Sequence, residues 1–251
     1  MHAENVILSA LKISIVVPAY NEERLLGASL TIIRTAAAAF VARAWEVELI
    51  VCDNNSSDRT ADIARAAGAN VVFEPVNQIA RARNCGAAAA TGDWLVFVDA
   101  DSHPDGGLFD DVAVQILAGQ CLAGGCTLRM DEPHFVGGLI TQLWNLTSRW
   151  GRLLAGSFIF CETAAFRELG GFSPELFVGE ELELTSHLKQ LAARKGRTIV
   201  VLHRHPLVTS ARKMHLYTAR EHLLFLGRAV FRHRRTMTSR SESYLWYDGR
   251  R

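Results

Sequence analysis

The first hundred residues alternate between apolar segments and helical segments, and this alternation constrains the fold more than any other feature. The apolar segments are short and favour strands: Ile13–Val17, Val47–Cys52, Val71–Phe73 and Trp94–Val98. Helical patterns stand between them, over about 22–42, 60–67 and 79–90. This order predicts an α/β fold with a doubly wound, mostly parallel sheet that carries helices on both faces.

Polar residues follow the ends of three of these predicted strands. Tyr20 and Glu22 come after the first strand, which we expect Pro18 to end, and Asp53 directly follows the second. The fourth strand runs straight into Asp99-Ala100-Asp101. Ligands bind at the carboxyl ends of strands in such sheets, so we expect one ligand site at this edge.

The second half of the chain is less regular. The segments predicted to be helices cover about 105–119, 135–150, 180–194 and 216–231, and those predicted to be strands cover 122–130, 158–160 and 198–202. No repeat or linker interrupts them, so residues 1–251 are predicted to form a single domain.

Charge is distributed unevenly along the chain. From Lys189 to the end there are 15 Lys and Arg against 3 Asp and Glu, whereas the preceding part has 12 and 23. A basic C-terminal part indicates an anionic partner, which is a diphosphate, a phospholipid surface or the acidic body itself. Peripheral membrane contact through the basic C-terminus fits this pattern, and nucleic acid is not expected as a partner.

Cysteine usage and hydropathy bear on the compartment. The five cysteines are odd in number and stand mostly in apolar segments, as reduced core residues do. No apolar run approaches the roughly 18 residues of a spanning helix. We therefore expect a cytoplasmic protein, with the inner membrane face as a peripheral location.

Asp99 and Asp101 are candidate metal ligands. Two carboxylates that flank one small residue can converge on one divalent cation, and oxygen ligands suit Mn²⁺ or Mg²⁺. The alternative is a solvated aspartate turn. Further along the chain, His205 is a candidate to complete the metal shell, and Arg212 to neutralise a leaving diphosphate. A polar loop after a strand is the alternative for both.

Glu180 and Glu181 open a predicted helix after Gly179. Acidic residues are favoured in a first turn by the helix dipole, which is the structural interpretation. The functional interpretation is a general base, whose pKa a neighbouring carboxylate would raise. Arg83, on the helix before the fourth strand, is a candidate to stack on a base or to bind a phosphate, and otherwise a surface charge.

Six motifs in order resemble glycosyltransferase family 2. They are SIVVPAYNEE (Ser14–Glu23), VCDNNSSDRT (Val51–Thr60), ARNCG (Ala82–Gly86), GDWLVFVDAD (Gly92–Asp101), ELGGF (Glu168–Phe172) and GEELE (Gly179–Glu183). The resemblance covers roughly residues 13–190 and implies a GT-A fold of three α/β/α layers, with a mostly parallel central sheet and a mixed acceptor-side half. It divides the chain into a nucleotide-sugar-binding half (about 13–102), an acceptor and catalytic half (about 103–213) and a basic C-terminal helix and tail (about 214–251).

The resemblance also implies roles for single residues. Pro18, Tyr20, Glu22 and Asp53 would hold the nucleoside, Arg83 would lie near the base or diphosphate, and Asp99 and Asp101 would hold nucleotide and metal. The implied reaction is an inverting transfer from a UDP- or GDP-sugar to a hydroxyl or phosphate acceptor, such as a polyprenyl phosphate, a glycan or a lipid.

One position departs from the family pattern and weakens one assignment. The family usually has Glu-Asp where this chain has Glu180-Glu181, and Glu181 is one methylene longer than the usual base. Two other functions stay open. A nucleotidyltransferase would need a basic, glycine-rich loop after the first strand, where this chain is acidic, and a non-catalytic membrane-associated nucleotide-sugar-binding protein would not need the acidic residues.

Overall fold

A computed structural model describes residues 11–132, 135–210, 212 and 237–239. The predicted helix over 216–231 and the basic residues after it lie outside this range. Eight strands are described: β1 Lys12–Ala19, β2 Glu46–Asp53, β3 Asn70–Phe73, β4 Trp94–Val98, β5 Ser102–His103, β6 Cys121–Met130, β7 Phe158–Glu162 and β8 Thr198–Thr209. The helices are α1 Leu26–Val41, α2 Thr60–Ala66, α3 Ile79–Ala89, α4 Gly106–Ala118, α5 Phe135–Gly151, α6 Thr163–Glu168 and α7 Glu180–Arg194.

All eight strands form one sheet in the order β3-β2-β1-β4-β7-β6-β8-β5. The first four are mutually parallel, as the alternation predicted. From β7 onward the sheet is mixed, because β7 is antiparallel to both β4 and β6 while β6 and β8 are parallel. The predicted architecture of a parallel first half and a mixed second half is confirmed.

Both faces of the sheet are covered, which gives three layers. Along β1, Ile15 and Val17 pack with α1 and α4 on one face, whereas Val16 packs with the opposite cluster that includes α3 and α7. Successive side chains of a strand point to opposite faces, so a strand buried on both sides is apolar throughout. This explains the continuous apolar segments in the sequence.

Pro18 does not end β1, contrary to the sequence-based prediction. The strand continues to Ala19, and Pro18 pairs in register with Cys52 of β2. On its other side β1 pairs with β4 only from Ile13 to Val16, so Pro18 lies beyond the last of these pairs. A proline is tolerated where no ladder hydrogen bond is needed from its nitrogen.

Two strands differ from the predictions in the second half. β8 was predicted to end at Leu202 but continues to Thr209, where it pairs with the two-residue strand β5 that the sequence did not reveal. The pairing of β8 with β6 is irregular between Leu202 and Leu207. A bulge of this kind accommodates polar residues and Pro206 within a strand, which hides the strand from pattern reading.

None of the helices in the described ranges has the length and apolarity to cross a membrane.

Candidate active site

The loops that follow β1 and β2 are joined to each other at the carboxyl edge of the sheet. Ala19 pairs with Asp53, and the carbonyl of Ala19 accepts a hydrogen bond from the Asn54 amide at 2.8 Å. The amide of Glu22 donates to the Thr60 hydroxyl at 2.8 Å. These bonds bring Glu22 and Asp53, both buried, to the same edge, as the sequence predicted.

Arg212 reaches this edge from the far end of the sequence. Its guanidinium donates two hydrogen bonds to the Glu22 carboxylate, at 2.9 and 3.1 Å, and lies 3.7 Å from an oxygen of Asp101. Burial opposes its charge, but Glu22 and Asp101 raise the pKa of Arg212. The structure therefore brings together three of the predicted site residues, one from each of three distant segments.

Arg83 lies at the centre of a buried ion-pair bridge. Only 2% of its side chain is exposed, and it donates to Glu180 at 2.7 Å, to Asp99 at 2.9 Å and to the Gly156 carbonyl at 2.8 Å. The two carboxylates raise its pKa despite complete burial. These contacts join the end of β4 to the start of α7, and the placement of Arg83 near the base or diphosphate stays a prediction.

Glu180 and Glu181 begin α7 as predicted, after Gly179 in the left-handed conformation. They line a cavity of about 130 Å³ together with Arg83, Asp99 and the 156–157 and 177–179 segments. Burial raises the pKa of Glu180, opposed by Arg83. Burial, and then the adjacent charge of Glu180, raise the pKa of Glu181 to about 8. A carboxylate with such a pKa can accept a proton near neutral pH.

The other predicted residues occupy different places. Tyr20 is partly exposed after β1 and Pro18 is buried within it. His205 lies on β8, where its Nδ1 is 3.1 Å from a carboxylate oxygen of Asp111 on α4. Thr209, four residues along the strand, pairs with Ser102 beside Asp101. At about 3.3 Å per strand residue His205 lies well away from Asp101, so the structure does not bring it to the predicted metal.

The site depends on three amides that the sequence analysis did not recognise as supports. Asn84 of α3 bonds both the amide and the carbonyl of Phe172, at 2.9 and 2.8 Å. Gln78 donates to the carbonyls of Pro174 and Leu176, each at 2.8 Å. They fix the segment that leads into α7, and Asn54 fixes the turn after β3. The partners of Asn84 and Gln78 are backbone groups 88 to 98 residues away, and those of Asn54 are 20 and 22 residues away, so none of them leaves a local pattern.

Asp99 and Asp101 supply carboxylate oxygens at the end of β4, the ligand type that a divalent cation prefers. Among the residues that the structure describes, no group of three or more His, Cys, Asp or Glu side chains is arranged to hold a metal. A complete protein cage is therefore not formed there. Mg²⁺ and Mn²⁺ are commonly held by one or two carboxylates together with waters and substrate phosphates. The Arg212 guanidinium lies 3.7 Å from Asp101, so this carboxylate already faces a cationic group.

Known proteins match both the sequence and the fold. The model for glycosyl transferase family 2 matches residues 14–134, slightly less than half of the chain. An uncharacterised glycosyltransferase of Mycobacterium bovis is 30% identical over 141 residues, which cover 55% of this chain and 60% of the relative. The chain thus spans about 60% of the length of that curated relative.

Two solved structures illustrate the shared fold. S. aureus TarS (1–349) in complex with UDP-GlcNAc superposes with a TM-score of 0.63 at 20% identity, over 93% of this chain and 75% of the other. A mannosyltransferase from Pyrobaculum calidifontis, in complex with GDP-Man and Mn²⁺, has a TM-score of 0.66 at 19% identity, over 88% and 62%. At such identities the likeness concerns the fold. Residues 14–134 are thus similar to glycosyl transferase family 2, and the described fold is similar to that of two solved structures that hold nucleotide sugars.

Proposed function

We propose that this protein transfers a sugar from a nucleoside-diphosphate sugar to a hydroxyl acceptor with inversion, with Glu181 as the base. The observation that carries the proposal is the bridge Asp99–Arg83–Glu180. It connects the carboxylate at the end of the nucleotide-side strand to the first turn of the helix that bears Glu181. The bridge thereby holds Asp99, on the donor side, and Glu181, the proposed base, at a fixed separation across one cavity.

The donor side is formed by the loops after β1, β2 and β4. Buried Glu22 and Asp53 supply hydrogen-bond acceptors for a nucleoside, and Arg212 supplies a cation for the diphosphate. The two solved structures described above hold a UDP-sugar and a GDP-sugar, which supports this donor class without deciding between them. Asp99 and Asp101 would hold Mn²⁺ or Mg²⁺, and the bound ion would stabilise the charge of the departing diphosphate.

The acceptor side supplies the base. As the acceptor oxygen bonds to the anomeric carbon, the carbon–oxygen bond to the diphosphate breaks and the hydroxyl proton passes to Glu181. Glu180 cannot serve as easily, because its carboxylate is already paired with Arg83 at 2.7 Å. Its charge, however, helps to keep the pKa of Glu181 high enough for proton transfer.

Donor hydrolysis measured with a panel of nucleotide sugars tests the proposal. We expect turnover with a UDP- or GDP-sugar that requires Mn²⁺ or Mg²⁺, and loss of that turnover in Asp101→Ala. Asp62→Ala is the matched control, since Asp62 is an exposed carboxylate on α2 that pairs with neighbouring Arg65. Normal metal-dependent turnover in Asp101→Ala would contradict the metal assignment, and inactivity with every donor would contradict the function.

A further inference from the structure

The outward face of α5 carries a row of exposed apolar side chains. Leu139, Leu143, Leu146 and Trp150 are 62%, 61%, 56% and 86% exposed. Their spacing of four, three and four residues places them on one side of a helix. Single exposed apolar residues are ordinary on protein surfaces, but a continuous row over three turns is typical of an interaction surface.

The orientation of this row is fixed by the inner face of α5. The Asn145 side chain accepts a hydrogen bond from the Leu128 amide of β6 and donates one to the Leu128 carbonyl, both at 2.8 Å. Buried Ser148 donates to the Leu153 carbonyl at 2.7 Å. Turning the helix to bury the row would break all three bonds, so the apolar side chains face outward in the folded protein.

Basic residues flank one end of the row. Arg149 and Arg152 are exposed beside Trp150, and Lys189 of α7 donates to the Gly151 carbonyl at the end of α5. No acidic residue occurs in the sequence from 133 to 161, although Asp131 and Glu132 precede the helix. The C-terminal end of α5 therefore presents apolar, aromatic and cationic groups together.

We infer that the row Leu139–Trp150 on α5 is a docking surface for an anionic lipid bilayer. A helix with leucine and tryptophan on one face and flanking arginine lies in the plane of a membrane interface, where tryptophan favours the headgroup level. The arginines face anionic headgroups in this arrangement. In the sequence, the row lies well before the basic C-terminal part that is also predicted to contact a membrane.

Charge favours a bilayer over the chain's own C-terminal part and over a second copy bound with parallel α5 helices. Such a copy would place Arg149 and Arg152 near their counterparts, at an unfavourable repulsion. The part of this chain after residue 210 has 10 Lys and Arg against 3 Asp and Glu, so it too is cationic. An anionic surface is the partner that complements both the apolar row and its basic end.

The position of α5 also bears on whether the acceptor is membrane-borne. This point rests on the proposed function, whereas the docking itself does not. The segment after α5 contributes Gly156 and Ser157 to the cavity that Glu180 and Glu181 line. Gly156 follows Trp150 by six residues, a span of at most about 20 Å, so a bilayer against Trp150 would lie near this cavity. This arrangement selects a membrane-borne hydroxyl or phosphate acceptor over a freely diffusing one.

Vesicle flotation of the full chain tests the docking without any donor. We expect the protein to float with phosphatidylcholine vesicles that contain phosphatidylglycerol and much less with phosphatidylcholine vesicles. Arg149→Gln with Arg152→Gln should weaken binding by about fivefold per arginine. Arg34→Gln with Arg65→Gln, which are exposed arginines on α1 and α2, is the matched control and should bind like the unaltered chain.

The apolar row is tested by Leu143→Gln with Leu146→Gln, which should weaken vesicle binding by about tenfold or more. The control, Val114→Asn with Leu117→Gln, removes apolar side chains that are similarly exposed on α4. Because these side chains are exposed, all four substitutions should leave the melting temperature unchanged. Vesicle binding that is equal in the α5 double variant and the control would overturn the inference.

Trp150 provides a second measurement that does not depend on variant stability. The fluorescence of Trp150 is obtained as the difference between the unaltered chain and Trp150→Phe. This fluorescence should be quenched by acrylamide in the free protein and by brominated lipid in the vesicle-bound protein. If Trp150 is shielded from acrylamide in the monomer, the chain's own C-terminal part covers α5. If the shielding grows with protein concentration, a second copy covers it. Either result would overturn lipid docking, while donor hydrolysis, measured separately, reports on the proposed function.

Discussion

The strands β1 to β4 and the strands β5 to β8 build the same site by different means. In the first group, site residues follow directly from strand ends that meet in parallel register, as Ala19 and Asp53 do. In the second group, they are positioned by long-range contacts, such as Arg83 with Glu180 and Arg212 with Glu22. Parallel register thus places the residues at the ends of β1 and β2, whereas Arg212 and the proposed base depend on contacts between distant segments.

The largest expected effect separates the base from the donor residues. Glu181→Gln should lower kcat by about 10²–10⁴-fold, because it removes the proposed proton acceptor and leaves the residues after β1 and β2 intact. Donor affinity, measured by calorimetry, should not change. Glu183→Gln, in the same first turn of α7, is the matched control. A kcat near that of the unaltered chain would transfer the role of base to another group.

Arg83→Ala should break the connection between the two groups of strands. Removing Arg83 takes away the counter-charge that buried Glu180 pairs with at 2.7 Å, at a cost of about 3–5 kcal/mol in the free energy of unfolding. Urea denaturation measures this loss. The exposed pair of Arg65 with Asp62 is the comparison, since Arg65→Ala should change stability by less than about 1 kcal/mol. Equal losses in both variants would show that the bridge contributes no stability.

Arg212→Gln should act on the donor alone. Loss of a charged hydrogen bond of about 1.5 kcal/mol or more corresponds to at least tenfold weaker binding of UDP or GDP. Arg204→Gln, an exposed arginine on β8, should bind nucleotide normally. If Arg212→Gln instead lowers kcat at unchanged affinity, Arg212 acts in the chemical step and the division between the two groups of strands needs revision.

A change of one pH unit should change kcat/KM by no more than tenfold. Since Glu181 has a pKa of about 8 and must be ionised to act, kcat/KM should rise with pH up to about 8 and then level. Glu180→Gln removes the neighbouring charge and should shift this rise to lower pH. A rise that stays in place in Glu180→Gln would show that burial alone sets the pKa.

The same raised pKa has a consequence for stability. Between the ordinary glutamate value of 4.5 and about 8, folded protein keeps a proton on Glu181 that the unfolded chain has released. The free energy of unfolding should therefore fall as pH rises through this range. Glu181→Gln should flatten that slope in urea titrations at several pH values, and a slope unchanged in the variant would assign it to other groups.

The sequence predicts the features that arise from local patterns and misses those that depend on contacts between distant segments. The parallel strands, the edge that carries Asp99 and Asp101, and the start of α7 are visible because each depends on a local pattern. The role of Arg83 is not, because an arginine on a helix looks alike whether it meets solvent or two buried carboxylates. β5 has two residues and β8 contains a bulge, so neither shows an alternating pattern.

The pairing of β5 with β8 has a consequence for how the protein is made. Ser102, next to Asp101, pairs with Thr209, and the Ser210 amide donates to the Asp101 carbonyl. During synthesis β1 to β4 emerge roughly a hundred residues before this partner does. Contacts of such separation form late and slowly. We therefore expect the nascent chain to fold its parallel sheet early and to gain a complete donor site only when residues 198–212 leave the ribosome.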